Sequence, residues 1–317
     1  MNISIAQLLR AYFVYILSLL TARIDAVIKY RRIYRNYVMV LLHILRNEYP
    51  IEAVLRRGNH ISIQSHSEAI LVTMMESIGY KMYDIIDNKV SLNCIVSETD
   101  PKTKIELYDG VKNGDLVNVF LQNEYNFLPV KGNVVIDIGA NIGDSCIYFA
   151  LGGAKQVIAL EPFPKNFEMA KKNIEVNGLN DRVILQLAGC ASKTGYITID
   201  PLYNSNGNSS LIEFKEGIKI PLLTLREILR KYNVSSGRAV LKIDCEGCEY
   251  QTILSSDDDT LKYFSHIQIE YHNGYKNLKE KLEKCNFTVA VSTPLLEVSA
   301  TSAGKTMSIT GQLYARQ

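Results

Sequence analysis

The chain has 317 residues, room for one large domain and an N-terminal extension. Hydrophobic residues make up 47% and charged residues 21%, ordinary for a soluble globular chain with a sizeable core. A net charge of only +2 gives no overall electrostatic case for a nucleic-acid partner.

The charge is unevenly placed. Residues 1–60 carry Arg10, Arg23, Lys29, Arg31, Arg32, Arg35, Arg46, Arg56 and Arg57 against only Asp25, Glu48 and Glu52. The uncharged run from Ala11 to Ala22 is too short to span a bilayer. No small-residue cleavage site follows it, and Arg23 opens a charged stretch, so it does not read as a secretory signal. Interleaved tyrosines and arginines (Tyr30, Arg31, Arg32, Tyr34, Arg35, Tyr37) predict a helical layer with a solvated basic face. Peripheral contact with anionic lipid or a lipid-linked glycan is the alternative for the same segment. Pro50 closes this basic helical segment, residues 1–50. Residues 51–125 are expected to form an α/β cap with helices over Ser67–Ile78 and Gly114–Gln122, and residues 126–317 the main domain.

Val134–Ile138 is an apolar, largely β-branched run and predicts a buried parallel strand. It breaks at Gly139, and a helix is expected to start near Gly143 with Asp144 and Ser145 in its first turn. Glycine at both places lets the backbone approach a ligand closely. A dinucleotide fingerprint would require glycines where Asn141 and Asp144 stand, so the spacing disfavours that cofactor. Asp137 before the loop also suits a cationic ligand better than a pyrophosphate.

The second strand, Gln156–Leu160, ends at Glu161-Pro162, where a carboxylate can accept hydrogen bonds from a ribose. A helix over Asn166–Asn177 follows, with Gly178 as its C-cap. Further parallel strands are expected at Val183–Ala188, Ala239–Ile243 and His266–Glu270. Residues 194–221 read as an inserted β-hairpin with its tip at 204–210. Two last strands, Thr288–Ser292 and Ser308–Ala315, are separated by a Ser/Thr/Gly-rich loop. The pattern is α/β, a doubly wound, mostly parallel seven-stranded sheet.

Three motifs occur in order: Asp-Ile-Gly-Ala-Asn-Ile-Gly-Asp-Ser (137–145), Glu-Pro (161–162) and Lys-Ile-Asp-Cys-Glu-Gly-Cys-Glu (242–249). Together they resemble the FkbM family of class I S-adenosylmethionine (SAM) methyltransferases, over roughly residues 103–292. The last block is the distinctive one. The resemblance implies a Rossmann-like methyltransferase sheet, SAM as cofactor, and methylation of a hydroxyl on a sugar, glycoconjugate or other small metabolite. It implies cofactor contacts from Asp137, Gly139, Ala140, Asn141, Gly143, Asp144, Ser145, Glu161, Pro162 and Ala188. No acid follows the third strand, so adenine recognition is expected from backbone groups or apolar packing around Ala188 and Gly189. Glu124 and Tyr125 are placed to close over the methionine end.

Methyl transfer to an alcohol needs the hydroxyl aligned and its proton accepted. Candidates at strand ends are Asp244, first choice as base or orienting acid, and Glu246, expected to fix the loop by accepting N–H groups with Gly247. Glu270 and His272 are candidates to hold the acceptor hydroxyl or relay its proton. His272 can equally serve only to orient a carboxylate. The role of Lys242 stays open.

Cys94, Cys146, Cys190 and Cys285 sit in apolar surroundings and are expected in the core. Cys245 and Cys248 form one C-x-x-C pair, which supplies only two ligands, so neither a metal nor redox work is expected of it. Six cysteines make no disulfide scaffold at this length, and the chain is expected in the cytoplasm. Three other readings share parts of the pattern: a nicotinamide oxidoreductase, a nucleic-acid methyltransferase, and a binding module without catalysis.

Overall fold

The computed structural model describes residues 24–94, 103–111, 115–203, 213–301 and 304–317. They fall into two compact units that divide between Met82 and Tyr83. The boundaries read from the sequence, at 50 and 125, each lie inside one unit.

In the first unit, helix α1 (24–33) and helix α2 (Tyr37–Arg46) precede the hairpin β1 (Ile51–Val54) and β2 (His60–Ile63) and helix α3 (His66–Ser77). The Ala11–Ala22 run lies outside the described residues. Helix α3 starts where Ser65 accepts the Glu68 N–H, and Glu68 in turn accepts the Gln64 N–H. Tyr34 is fully buried, and its hydroxyl meets Thr73 Oγ1 at 3.1 Å.

The second unit opens with an antiparallel meander, β3 (Tyr83–Ile86), β4 (Lys89–Cys94) and β5 (Thr103–Tyr108). The helix expected over Gly114–Gln122 is wound as a π-helix from Val117 to Leu121. The main sheet then follows with β6 (Val134–Ile138), α4 (Asp144–Leu151), β7 (Gln156–Glu161), α5 (Pro164–Val176) and β8 (Val183–Leu187). A side sheet is made by β9 (Gly189–Cys190), β10 (Gly195–Ile199) and β11 (Ile218–Leu223). The chain returns through α6 (Leu225–Lys231), β12 (Ala239–Ile243), α7 (Cys248–Ser255), α8 (Asp258–Leu261), β13 (Phe264–Tyr271) and α9 (Lys276–Lys284). It ends with β14 (Thr288–Val291), β15 (Leu295–Thr301) and β16 (Gly304–Arg316).

The spatial order is β14-β16-β13-β12-β6-β7-β8, and β16 runs antiparallel to both of its neighbours. Numbered along the chain, these seven strands read 6-7-5-4-1-2-3. A dinucleotide-binding sheet places its sixth strand beside the fifth. Here an antiparallel strand is wedged between them, the arrangement expected of the methyltransferase class. β6 lies centrally, where the winding reverses between β7 and β12. Ligands of open α/β sheets bind at the carboxyl ends of the strands on either side of that point.

Two sequence expectations change in detail. Helix α5 begins at Pro164, two residues early, because proline at N1 has no N–H to lose and its φ is already helical. The loop expected between the last two strands contains β15, paired with β16 from Leu295↔Thr310 to Thr301↔Gly304. The hairpin of the insertion is β10 with β11, and its tip at 204–210 lies outside the described residues. In one apolar cluster of the second unit, Ile136, Ile138, Ile158, Leu160, Leu241, Ile243, Ile267 and Ile269 line up across four adjacent strands. It fixes the height at which all four carboxyl ends emerge.

Candidate active site

The carboxyl ends of β6, β7 and β12 meet in tight backbone contact. Gly139, at φ +83°, passes so close to β12 that an added Cβ would stand 1.8 Å from the Asp244 carbonyl oxygen. No side chain fits there. The N–H groups of Gly139 and Ala140 both reach the Leu160 carbonyl at 3.0 Å, and the Asp244 N–H reaches Ile138 O at 3.0 Å. Gly143, at φ +88°, is the N-cap of α4, and a Cβ there would press within 3.1 Å of Ala170 on α5. Asn173 of α5 fastens this loop from behind, donating to Ile142 O at 2.9 Å while pairing with both backbone groups of Tyr108.

The result is an open cleft of about 800 Å³, its mouth included. Of the residues singled out in the sequence, Gly139, Asn141, Glu161, Pro162, Ala188, Asp244, Glu246 and Glu270 line it. Asp115, Phe163 and Asn166, which escaped the sequence reading, also line it, as do Cys245 and Cys248, which the sequence marks only as a C-x-x-C pair. Glu161 is almost fully buried, accepting the N–H of Asn141 at 2.8 Å and of Phe163 at 3.0 Å. Burial pushes its carboxyl up to about 8, against the pull of those two bonds. Each oxygen retains a second lone pair for a ligand hydroxyl. Asn166 donates to Asn141 Oδ1 at 2.9 Å and holds that side chain in the wall.

Five expected cofactor contacts stand behind the cleft wall. Ala140 is fully buried, Gly143 caps α4, and Asp144 and Ser145 are buried in that helix's first turn. Burial raises the Asp144 carboxyl to about 6, with Lys242 opposing. Asp137 is wholly buried and faces Lys242, whose Nζ lies 3.1 Å from Asp137 Oδ1 and donates to Gly139 O at 2.6 Å. Ser145 and Cys146 donate to the other Asp137 oxygen. Burial works against charge on Lys242, yet Asp137, Asp244 and Asp144 outweigh it and hold the ammonium above its usual range. This is the role the sequence left open for Lys242: it ties β12 to β6 and to the carbonyl of the glycine turn. Asp137 therefore shapes the loop from beneath it.

The catalytic candidates are brought together, with two roles exchanged. Glu246, at φ +55°, does not accept the Gly247 N–H; the fully buried Glu249 does, at 2.8 Å. Glu249 also takes the His272 backbone N–H and meets His272 Nδ1, both at 3.1 Å. On its other side His272 Nε2 lies 3.2 Å from Glu246. Burial disfavours charge on His272, but hydrogen bonds to Glu246 and Glu249 prevail and raise it to about 11. The imidazole is thus protonated at neutral pH and cannot relay a proton as a base. His272 stands between two carboxylates, Glu246 and Glu249.

Glu270 is raised to about 8, first by burial and then by the charge of Asp244. Gln312 Nε2 donates both to Glu270 Oε2 and to Glu124 Oε1 at 3.1 Å, binding the two acids across β16. Glu124 is itself raised to about 7 by burial and by Asp244. Tyr125 packs its ring on Tyr148 and Phe149 instead of closing over the cleft. Cys245 and Cys248 form a disulfide across the turn that bears Glu246, whereas the other described cysteines are free and buried. Ligand atoms of Asp244, Glu246 and His272 lie within 4.8 Å of one another, a set that could hold a metal once His272 gave up its proton.

Curated relatives include the ribosomal RNA large subunit methyltransferase K/L of Shewanella loihica, 26% identical over a 191-residue alignment that covers 56% of this chain and 27% of that one. Methyltransferase sdnD of Sordaria araneosa is 22% identical over 48% of this chain and 71% of its own length. The chain thus spans little more than a quarter of the first relative. A SAM-dependent methyltransferase structure from Agrobacterium tumefaciens aligns with a TM-score of 0.42 at 12% identity, over 74% of this chain and 71% of that one. The glycine turn, Glu161 and the block from Lys242 to Glu249 all lie within residues 137–289, which match the Methyltransferase FkbM domain.

Proposed function

We propose that the protein uses SAM to methylate a hydroxyl group on a sugar, glycoconjugate or other small metabolite. The observation that carries this reading is that the Gly139 turn and Glu161 line one cleft together with Asp244 and Glu270. The residues fit the cofactor: the turn leaves no room for a Cβ, and Glu161 offers free lone pairs beside it. When bound, SAM supplies an electrophilic methyl group on a sulfonium. Asp244 orients the acceptor hydroxyl, and Glu270 takes its proton, since a base works best with a pKa near the operating pH. His272 balances Glu246 and Glu249 and keeps the α7 turn in place.

The acceptor is small and is not a nucleic acid. Asp115, Glu161, Asp244, Glu246 and Glu270 line the cleft, and among the described residues none of its lining is Lys or Arg. A phosphate backbone would meet repulsion there. Incubation with SAM and a panel of purified glycans and polyols tests the reading. It predicts a product heavier by one methylene; methylation confined to RNA would contradict it.

Two further outcomes are expected. Glu161→Ala should weaken SAM binding by ~1–3 kcal/mol, the usual cost of leaving buried hydrogen-bonding groups without their partner, as calorimetry would show. Turnover should rise with pH through about 8 as Glu270 loses its proton, because only the carboxylate can accept one. A turnover that is flat from pH 6 to 9 would remove Glu270 as base.

A further inference from the structure

Helices α1 and α2 already have their inward contacts satisfied, with Ile33, Tyr34 and Val40 buried. Each nevertheless carries a second apolar stripe that faces outward. On α1 it is Ile24, Val27 and Ile28, at i, i+3 and i+4; on α2 it is Val38, Leu42 and Leu45, at i, i+4 and i+7. These spacings put each set on one helix face. Exposure runs from 42% for Ile28 to 80% for Leu45, so none is a core residue that strayed to the rim. Lys29, Arg31, Arg32, Arg35 and Arg46 are exposed among them, and Asp25 is the sole acid between residues 24 and 46.

We propose that this surface of the first unit docks on an anionic lipid bilayer, with α1 and α2 lying in its interface. Apolar stripes flanked by arginines are the pattern by which a helix sinks its hydrophobic face to the acyl boundary and leaves its cations among the headgroups. Charge selects the occupant. A second copy of the chain would bring the same five cations against these five, whereas an anionic surface neutralises them. Among the described residues no helix is long and apolar enough to cross a membrane.

Flotation of the full chain with phosphatidylcholine vesicles, with and without 30% phosphatidylglycerol, tests this. We expect flotation only with the anionic vesicles, reduced about tenfold or more by 0.5 M salt, since screening shortens the reach of each charge. Val38→Ser/Leu42→Ser/Leu45→Ser and Arg31→Glu/Arg32→Glu should each lose flotation by about tenfold or more with unchanged circular dichroism, because all five side chains are exposed. Absence of anionic-dependent flotation would overturn the proposal. So would flotation that survives both variants but is lost in Leu19→Asp, which would assign the contact to the preceding apolar run. A dimer by light scattering that the triple variant dissociates would assign the face to a second copy instead.

Discussion

Replacing Lys242 by Met should destabilise the protein by about 3–5 kcal/mol, the usual cost of removing one partner of a buried ion pair. The ammonium is 3% exposed as a side chain and faces an Asp137 carboxylate with no exposure at all. Without it Asp137 keeps only the Ser145 and Cys146 donors, and the Gly139 carbonyl loses its 2.6 Å bond. The midpoint of urea unfolding should fall accordingly at unchanged slope. Asp137→Leu combined with Lys242→Met should recover much of the loss, because two apolar side chains leave no charge unpaired. A single-variant cost below about 1 kcal/mol would mean the pair is not buried as described.

Glu270→Gln should lower turnover by about 10²-fold or more, the ordinary contribution of a general base, while leaving SAM affinity nearly unchanged. The amide keeps the shape and can still meet Gln312 after a flip, so packing is preserved. The rise of turnover through about pH 8 should vanish with it. Asp244→Asn is expected to raise KM for the acceptor and cost less in turnover, since it orients the hydroxyl. If Glu270→Gln retains full turnover and Asp244→Asn loses it, the two roles are reversed. If both remain fully active, alignment alone accounts for the rate.

How legible the site was depends on the range of each interaction. Val134–Ile138 and Ala239–Ile243 appear in the structure with the bounds read from the sequence, because a strand buried on both faces leaves an unbroken apolar run. Gly139 was legible because its motif is local. That it must be glycine comes from Asp244, more than a hundred residues away. Such pairings leave no local signal, and for the same reason the Lys242–Asp137 ion pair was out of reach. The exchange between Glu246 and Glu249 had another cause. Both acids stand in one motif, and only the left-handed turn at Glu246 and Gly247 decides which carboxylate folds back to the N–H groups. His272 read as a group titrating near neutrality, because its two carboxylate neighbours come from α7 and the turn before it. The π-helical winding of Val117–Leu121 likewise had no periodicity by which to be told from an ordinary helix.

Calorimetric titration of the unmodified protein with SAM, and separately with NAD, tests the central claim most directly. The account predicts one SAM site per chain, weakened in Glu161→Ala, and no heat from NAD. Saturable binding of NAD with none of SAM would contradict it.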